Sequence, residues 1–109
     1  MLSLRADDRV LFLAIPPPQE LAAVARILMS GCLVALGTAD EVDEARRAML
    51  DFENVMFVDA SPGSVPWRDQ FFTKIVVPSH LQRLAVESSA EMHRLLAPGG
   101  SLIQDIENT

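Results

Sequence analysis

Four short runs in this chain are too uniformly apolar to lie half in water: "RVLFLAI" (9–15), "CLVALG" (32–37), "NVMFV" (54–58) and "FFTKIVV" (71–77). A strand with one wet face alternates apolar and polar residues. A strand of a parallel sheet is covered on both faces and reads as an almost continuous apolar run. The segments between the runs have helical spacing instead. "QELAAVARILMSG" puts Leu21, Val24 and Leu28 on one face with Gly31 as a stop. "TADEVDEARRAMLDF" buries Val42, Ala45 and Met49, and Thr38 with Glu41 forms a capping box. Residues 80–96 fit a further helix with Leu81, Leu84, Met92 and Leu95 inward, and "APGG" stops it before a last strand, "SLIQDI".

Strands alternating with helices predict a single α/β domain over residues 1–109, built on a mainly parallel five-stranded sheet with right-handed crossovers. A switch after the third strand gives the order 3-2-1-4-5. The turn-rich segment 59–70 is long enough to cross the intervening strands, a span of roughly 15 Å. The first strand runs directly into Pro16–Pro18. Pro16 biases Ile15 toward extended geometry, while Pro17 or Pro18 occupies the first helical turn, where a missing N–H costs little.

Composition narrows the function classes. Half of the 109 residues are apolar, so the core needs no staples, and the single Cys32 reads as a small buried side chain rather than a nucleophile. No apolar run approaches the length of a membrane span, and "MLSLRADDRV" lacks the order of a signal peptide, so the expected location is cytoplasmic. A net charge of −6 with scattered cations argues against a nucleic-acid partner. The adjacent Arg46 and Arg47 sit among Asp40, Glu41, Asp43 and Glu44 and belong to a solvated helix face. No His, Cys or carboxylate set has metal-ligand spacing, so no metal is expected. His80 and His93 read as surface or capping residues. Ser61, Ser64 and Ser79 lack a nucleophile elbow, and Trp67 reads as a core or loop plug rather than a cover for a cleft.

Three motifs in order resemble the class I S-adenosylmethionine-dependent methyltransferases over residues 9–104. "NVMFVDASPGSVPWRDQFFTKIVV" is similar to that family's third strand, its loop (Val65, Pro66 and Trp67) and its fourth strand. "EMHRLLAPGGSLI" is similar to the helix before its fifth strand, and "VALGTADEVDEAR" to its second strand and following helix. The resemblance implies a three-layer Rossmann-like fold. It also implies positions for cofactor binding: Ala14, Pro16, Leu36, Asp59 and Ser61.

At those positions the sequence departs from the family pattern. An acidic residue and three glycines close strand one in the family, and Phe12, Ala14, Pro16 and Pro18 stand there. Proline fixes φ, fills space and carries no N–H, so the backbone donors that would face an anionic group are lost. The ribose carboxylate of the second strand is replaced by Leu36 or Gly37, with Asp40 the nearest acid. Ser61 takes the adenine-reading acidic position, and Asp59 stands two residues early, pointing elsewhere unless the register slips.

The reading that follows is a degenerate methyltransferase-like domain that is non-catalytic, holds no cofactor and acts as an interaction or assembly module. The alternative is a small methyltransferase that binds S-adenosylmethionine atypically through groups near Ala14, Leu36 and Ser61, with Asp59 or Asp40 as a displaced acid. A third is another ligand in the same crevice. The family continues past strand five with further strands that this sequence does not include, so the strand at 101–106 is expected to be an open edge serving a homodimer or a protein partner.

Overall fold

A computed structural model describes residues 4–105. Its strands are β1 (Arg9–Phe12), β2 (Cys32–Gly37), β3 (Val55–Asp59), β4 (Phe72–Pro78) and β5 (Leu96–Asp105), ordered β3-β2-β1-β4-β5. Every pairing is parallel, as the apolar runs predict. The helices are α1 (Pro18–Ile27), α2 (Ala39–Ala48), α3 (Gln82–Glu87) and α4 (Ser89–Leu95), with a 3-10 turn at Ser79–Leu81 ahead of α3.

Alternation along the strands divides the core into two layers. Val10, Phe12, Leu33, Ala35 and Val76 pack against Leu21, Val24, Leu28, Val42, Ala45 and Met49 from α1, α2 and their C-caps. The intervening residues Leu11, Leu13, Val34, Leu36, Ile75 and Val77 face the opposite layer, with Val65, Ala85, Met92 and Leu95. Burying each such side chain contributes about 1.5 to 3 kcal/mol, so the sheet is stabilised from both sides.

Several local features differ from the sequence expectation. β1 pairs only as far as Phe12, although the Leu13 N–H still donates to the Val76 carbonyl at 3.2 Å; Ala14–Pro17 then leave the sheet. Pro17 is the N-cap of α1 and Pro18 its first residue. Asn54 is no strand residue: its amide donates to the Ala25 and Leu28 carbonyls at 2.9 Å and satisfies the C-terminus of α1. The long helix expected over 80–96 is broken at Ser88, beside Ser89, where two residues of low helical preference meet. The break leaves Leu84 exposed and buries Ala85 in its place. "APGG" is no free loop either. Leu96 already pairs with Phe72, a register shift follows, and pairing resumes at Lys74 with Ser101. Ile106, the last residue of the expected strand, lies outside the described residues.

Gly31 does not stop a helix, since α1 ends at Ile27. The Cys32 N–H donates to the Asp8 carbonyl, and a Cβ on Gly31 would lie 1.9 Å from that oxygen. The same segment contains the single buried charged side chain among the described residues, Asp8. Its carboxylate accepts the Arg5 N–H and the Thr73 hydroxyl, both at 2.7 Å, and pairs with the Lys74 ammonium at 3.3 Å. Burial alone would push this carboxyl up. The three donors more than reverse that effect and hold it below the ordinary carboxylate value. The start of β1 is thereby fixed to β4. Cys32 is half-buried, and desolvation raises its thiol, which leaves it a structural residue.

The Gly31 contact is with backbone, which cannot rotate away, so Gly31→Ala should destabilise the fold by about 2 kcal/mol or more. Urea unfolding of the variant beside the wild-type protein checks this; an unchanged midpoint contradicts it.

Candidate functional site

In a parallel α/β sheet the strands reach their carboxyl ends together, and a crevice opens where neighbouring crossovers leave in opposite directions. Here that point lies between β1 and β4. A cleft of about 470 Å³ occurs there, lined by Leu13 and Ala14 after β1, Leu36 to Thr38 and Glu41 after β2, Asp59 to Pro62 after β3, and His80 and Leu81 after β4. Such a volume suits a small organic ligand.

Four of the five residues picked out by sequence meet in this cleft: Ala14, Leu36, Asp59 and Ser61. Pro16 does not. It lines an adjoining cavity of about 180 Å³ with Pro18, Leu21, Glu41, Glu44 and Ala45, between the start of α1 and α2, and Glu41 is common to both. Leu36 is almost wholly buried and presents little to a ligand. Asp59, the last residue of β3 and opposite Gly37, is exposed and lines the cleft. Asp40 is exposed on α2 outside the cleft lining, and Glu41 supplies the acid instead.

Glu41 reaches the cleft because of what precedes it. Its Oε1 accepts the Thr38 N–H at 2.9 Å while the Thr38 hydroxyl accepts the Glu41 N–H at 3.3 Å, completing the capping box. That fold-back lays the side chain over the end of β2. A Cβ on Gly37 would come within 3.0 Å of Oε1, so only a glycine leaves the carboxylate this position unhindered. The capping box was legible in sequence, but its direction over the strand end was not. His80 is exposed, as read from the sequence, and also lines the cleft, two residues after the end of β4.

The loop from β3 to β4 is fastened by one ion cluster. The Arg94 guanidinium donates to both Glu91 oxygens at 2.8 and 2.9 Å, to the Trp67 and Val65 carbonyls at 2.8 and 2.9 Å, and to Asp69 at 2.8 Å. Glu91 also accepts the Val65 N–H at 2.7 Å, and the Gln70 N–H donates to the Arg94 carbonyl. Trp67 stacks in a ring cluster with Phe71 and Phe72 and plugs the lower layer, the first of the two roles expected for it. The Arg94 bonds and the Val65 N–H hold the Glu91 carboxyl down to about 2.

No family model matches the chain. A curated relative, the ubiquinone/menaquinone biosynthesis C-methyltransferase UbiE of Coxiella burnetii, is 33% identical over 63 residues, 53% of this chain and 25% of the relative. The chain therefore spans about a quarter of the length of the curated relative it matches. A solved SAM-dependent methyltransferase from Aquifex aeolicus superposes with a TM-score of 0.80 at 19% identity, over 92% of this chain and 56% of that one. The fold is that of the class I methyltransferases. A complex of the Haloferax volcanii Trm112 methyltransferase activator with a methyltransferase matches this methyltransferase fold with a TM-score of 0.77 at 22% identity, over 91% and 45% of the two chains. Within the described residues, no helix is long and apolar enough to cross a membrane, and no group of three or more His, Cys, Asp or Glu is placed to hold a metal ion.

The Glu91 clamp carries a pH signature. Its folded pKa, about 2, lies below the ordinary 4.5, so the stability it contributes is complete above 4.5 and is lost as pH falls toward 2. Urea unfolding across this range should show a wild-type advantage over Glu91→Gln near neutrality that shrinks on acidification. A constant difference contradicts the assignment.

Proposed function

We propose that the chain is a methyltransferase-like domain that has no catalytic step of its own and serves as an interaction module. The observation that carries this is the turn after β1. Where the fold's enzymes offer flexible backbone donors, this chain has Pro16–Pro18, which bring rings and no N–H, and Pro16 lines an adjoining cavity rather than the cleft itself. Leu36 in place of a diol-binding acid adds to the mismatch. Each lost charge-assisted or backbone hydrogen bond weakens a ligand by roughly 1 to 3 kcal/mol, and several are lost together. The residues of the turn do not fit the adenosyl cofactor.

An interaction role draws support from the other edge of the sheet. An apolar groove of about 280 Å³ runs between β5, α3 and α4, lined by Val77, Ala85, Val86, Met92, Leu96 and Leu102. Val86 is 75% exposed and Leu102 47%, beside a strand with one unpaired side. Isolated exposed apolar residues need no explanation, but a groove along an open edge favours association. The likeness to a methyltransferase held by an activator chain is consistent with such a role. The partner proposed is a second copy, paired through β5. Light scattering at micromolar concentration should give twice the chain mass, and a monomer mass removes the homodimer.

A second reading rests on Glu41 and Asp59, which place two carboxylates at the cleft where hydroxyls of a nucleoside would lie. In that reading S-adenosylmethionine binds without the glycine cradle, held by these acids, by Ser61 and by backbone near Ala14. Calorimetry separates the two. The interaction-module reading expects no saturable heat with S-adenosylmethionine or S-adenosylhomocysteine at millimolar concentration. Micromolar binding overturns it, and Glu41→Gln then tests the acid: glutamine still completes the capping box, so the fold is kept while affinity should fall roughly tenfold.

A further inference from the structure

The opposite end of the sheet holds a second, more polar cavity. It measures about 330 Å³ and lies at the amino ends of β1, β4 and the bulged start of β5, lined by Arg5, Asp7, Asp8, Arg9, Thr73, Lys74 and Pro98 to Gly100. Three cations and two carboxylates surround this space, in a chain whose net charge is −6. The formal balance of the lining is 3 − 2 = +1, the reverse of the molecule as a whole.

The carboxylates are not equal partners. Asp8 is buried and already fully engaged with the Arg5 N–H, Thr73 and Lys74. Asp7 is exposed and makes no ion pair among the described residues, and neither guanidinium of Arg5 or Arg9 has a carboxylate partner there. Arg9 is held in place without being neutralised: its Nε donates to the Phe71 carbonyl, and the guanidinium lies 5.2 Å from the Phe71 ring centroid. Its backbone N–H is fixed by Thr73, and Thr73 by Asp8. Arg9 and Lys74 are therefore braced, which lowers the cost of ordering them around a ligand, while the exposed Arg5 side chain is free to close over it. On the remaining wall, Gly99 has φ of 81° with open space where a Cβ would be, so a ligand meets bare backbone rather than a side chain.

We infer that this cavity binds a phosphate-type oxyanion, with Arg5, Arg9 and Lys74 as its cationic contacts. A tetrahedral dianion offers enough acceptor oxygens for three cations lining one cavity from β1, β4 and the segment before β1, and charge-assisted bonds of this kind are the stronger ones. The site lies at the far end of the strands from the cleft of the class I fold, so it stands or falls independently of the adenosyl ligand.

The test is an amide NMR titration of the full chain with inorganic phosphate, against a chloride titration of matched ionic strength. Saturable shifts centred on Arg9, Lys74, Gly99 and Gly100 are expected with phosphate alone. Arg5→Gln should weaken the apparent affinity roughly tenfold, and Asp7→Asn should strengthen it, because the only uncommitted carboxylate is removed. Both side chains are exposed and make no ion pair among the described residues, so the fold is retained. Shifts no different from chloride overturn the inference. So do saturable shifts indifferent to both substitutions.

Discussion

A parallel sheet cannot leave a face in water, and most of this molecule follows from that constraint. Both faces of β1, β2 and β4 are closed by apolar layers, one from α1 and α2 and the other from α3, α4 and the loop carrying Val65. Polar chemistry is thereby expelled from the middle of the sheet to the strand ends. At the carboxyl ends lies the cleft with Glu41, Asp59 and His80; at the amino ends lies the charged cavity around Asp8. The residues of the two ends share strands while facing opposite poles.

Strand order and direction were legible because uniform apolar runs have few alternative homes. What sequence concealed were effects depending on three-dimensional proximity. Gly31 has the appearance of a helix stop, and only the approach of the Asp8 carbonyl reveals what excludes a side chain there. Asn54 reads as a strand start until its amide is seen to satisfy the end of α1. The apolar spacing of Leu81, Leu84, Met92 and Leu95 over 80–96 masked the turn at Ser88, whose one sequence sign is the Ser88–Ser89 pair. At the cleft, Ala14, Leu36, Asp59 and Ser61 followed from strand ends, whereas Glu41 required knowing that a capping side chain folds back over the preceding strand.

The three prolines illustrate how one local solution serves the fold while changing the site. Pro17 and Pro18 begin α1 with the geometry a helix start requires, and the strands on either side of α1 pair in the expected order and direction. Structure at that turn is preserved through fixed φ angles instead of glycine freedom. Pro16–Pro18 set the direction of the chain at this turn and offer no backbone N–H there.

The passage from α4 into β5 has no connecting residues, since Leu95 ends one and Leu96 begins the other. This junction has no slack. An inserted or deleted residue there would both rotate α4 by about a hundred degrees and swap the inward and outward sides of β5. Two places nearby can absorb such an error, the break at Ser88 and the register shift before Lys74. Length variation among related chains should therefore concentrate at those two points, leaving the helix–strand junction itself at constant length.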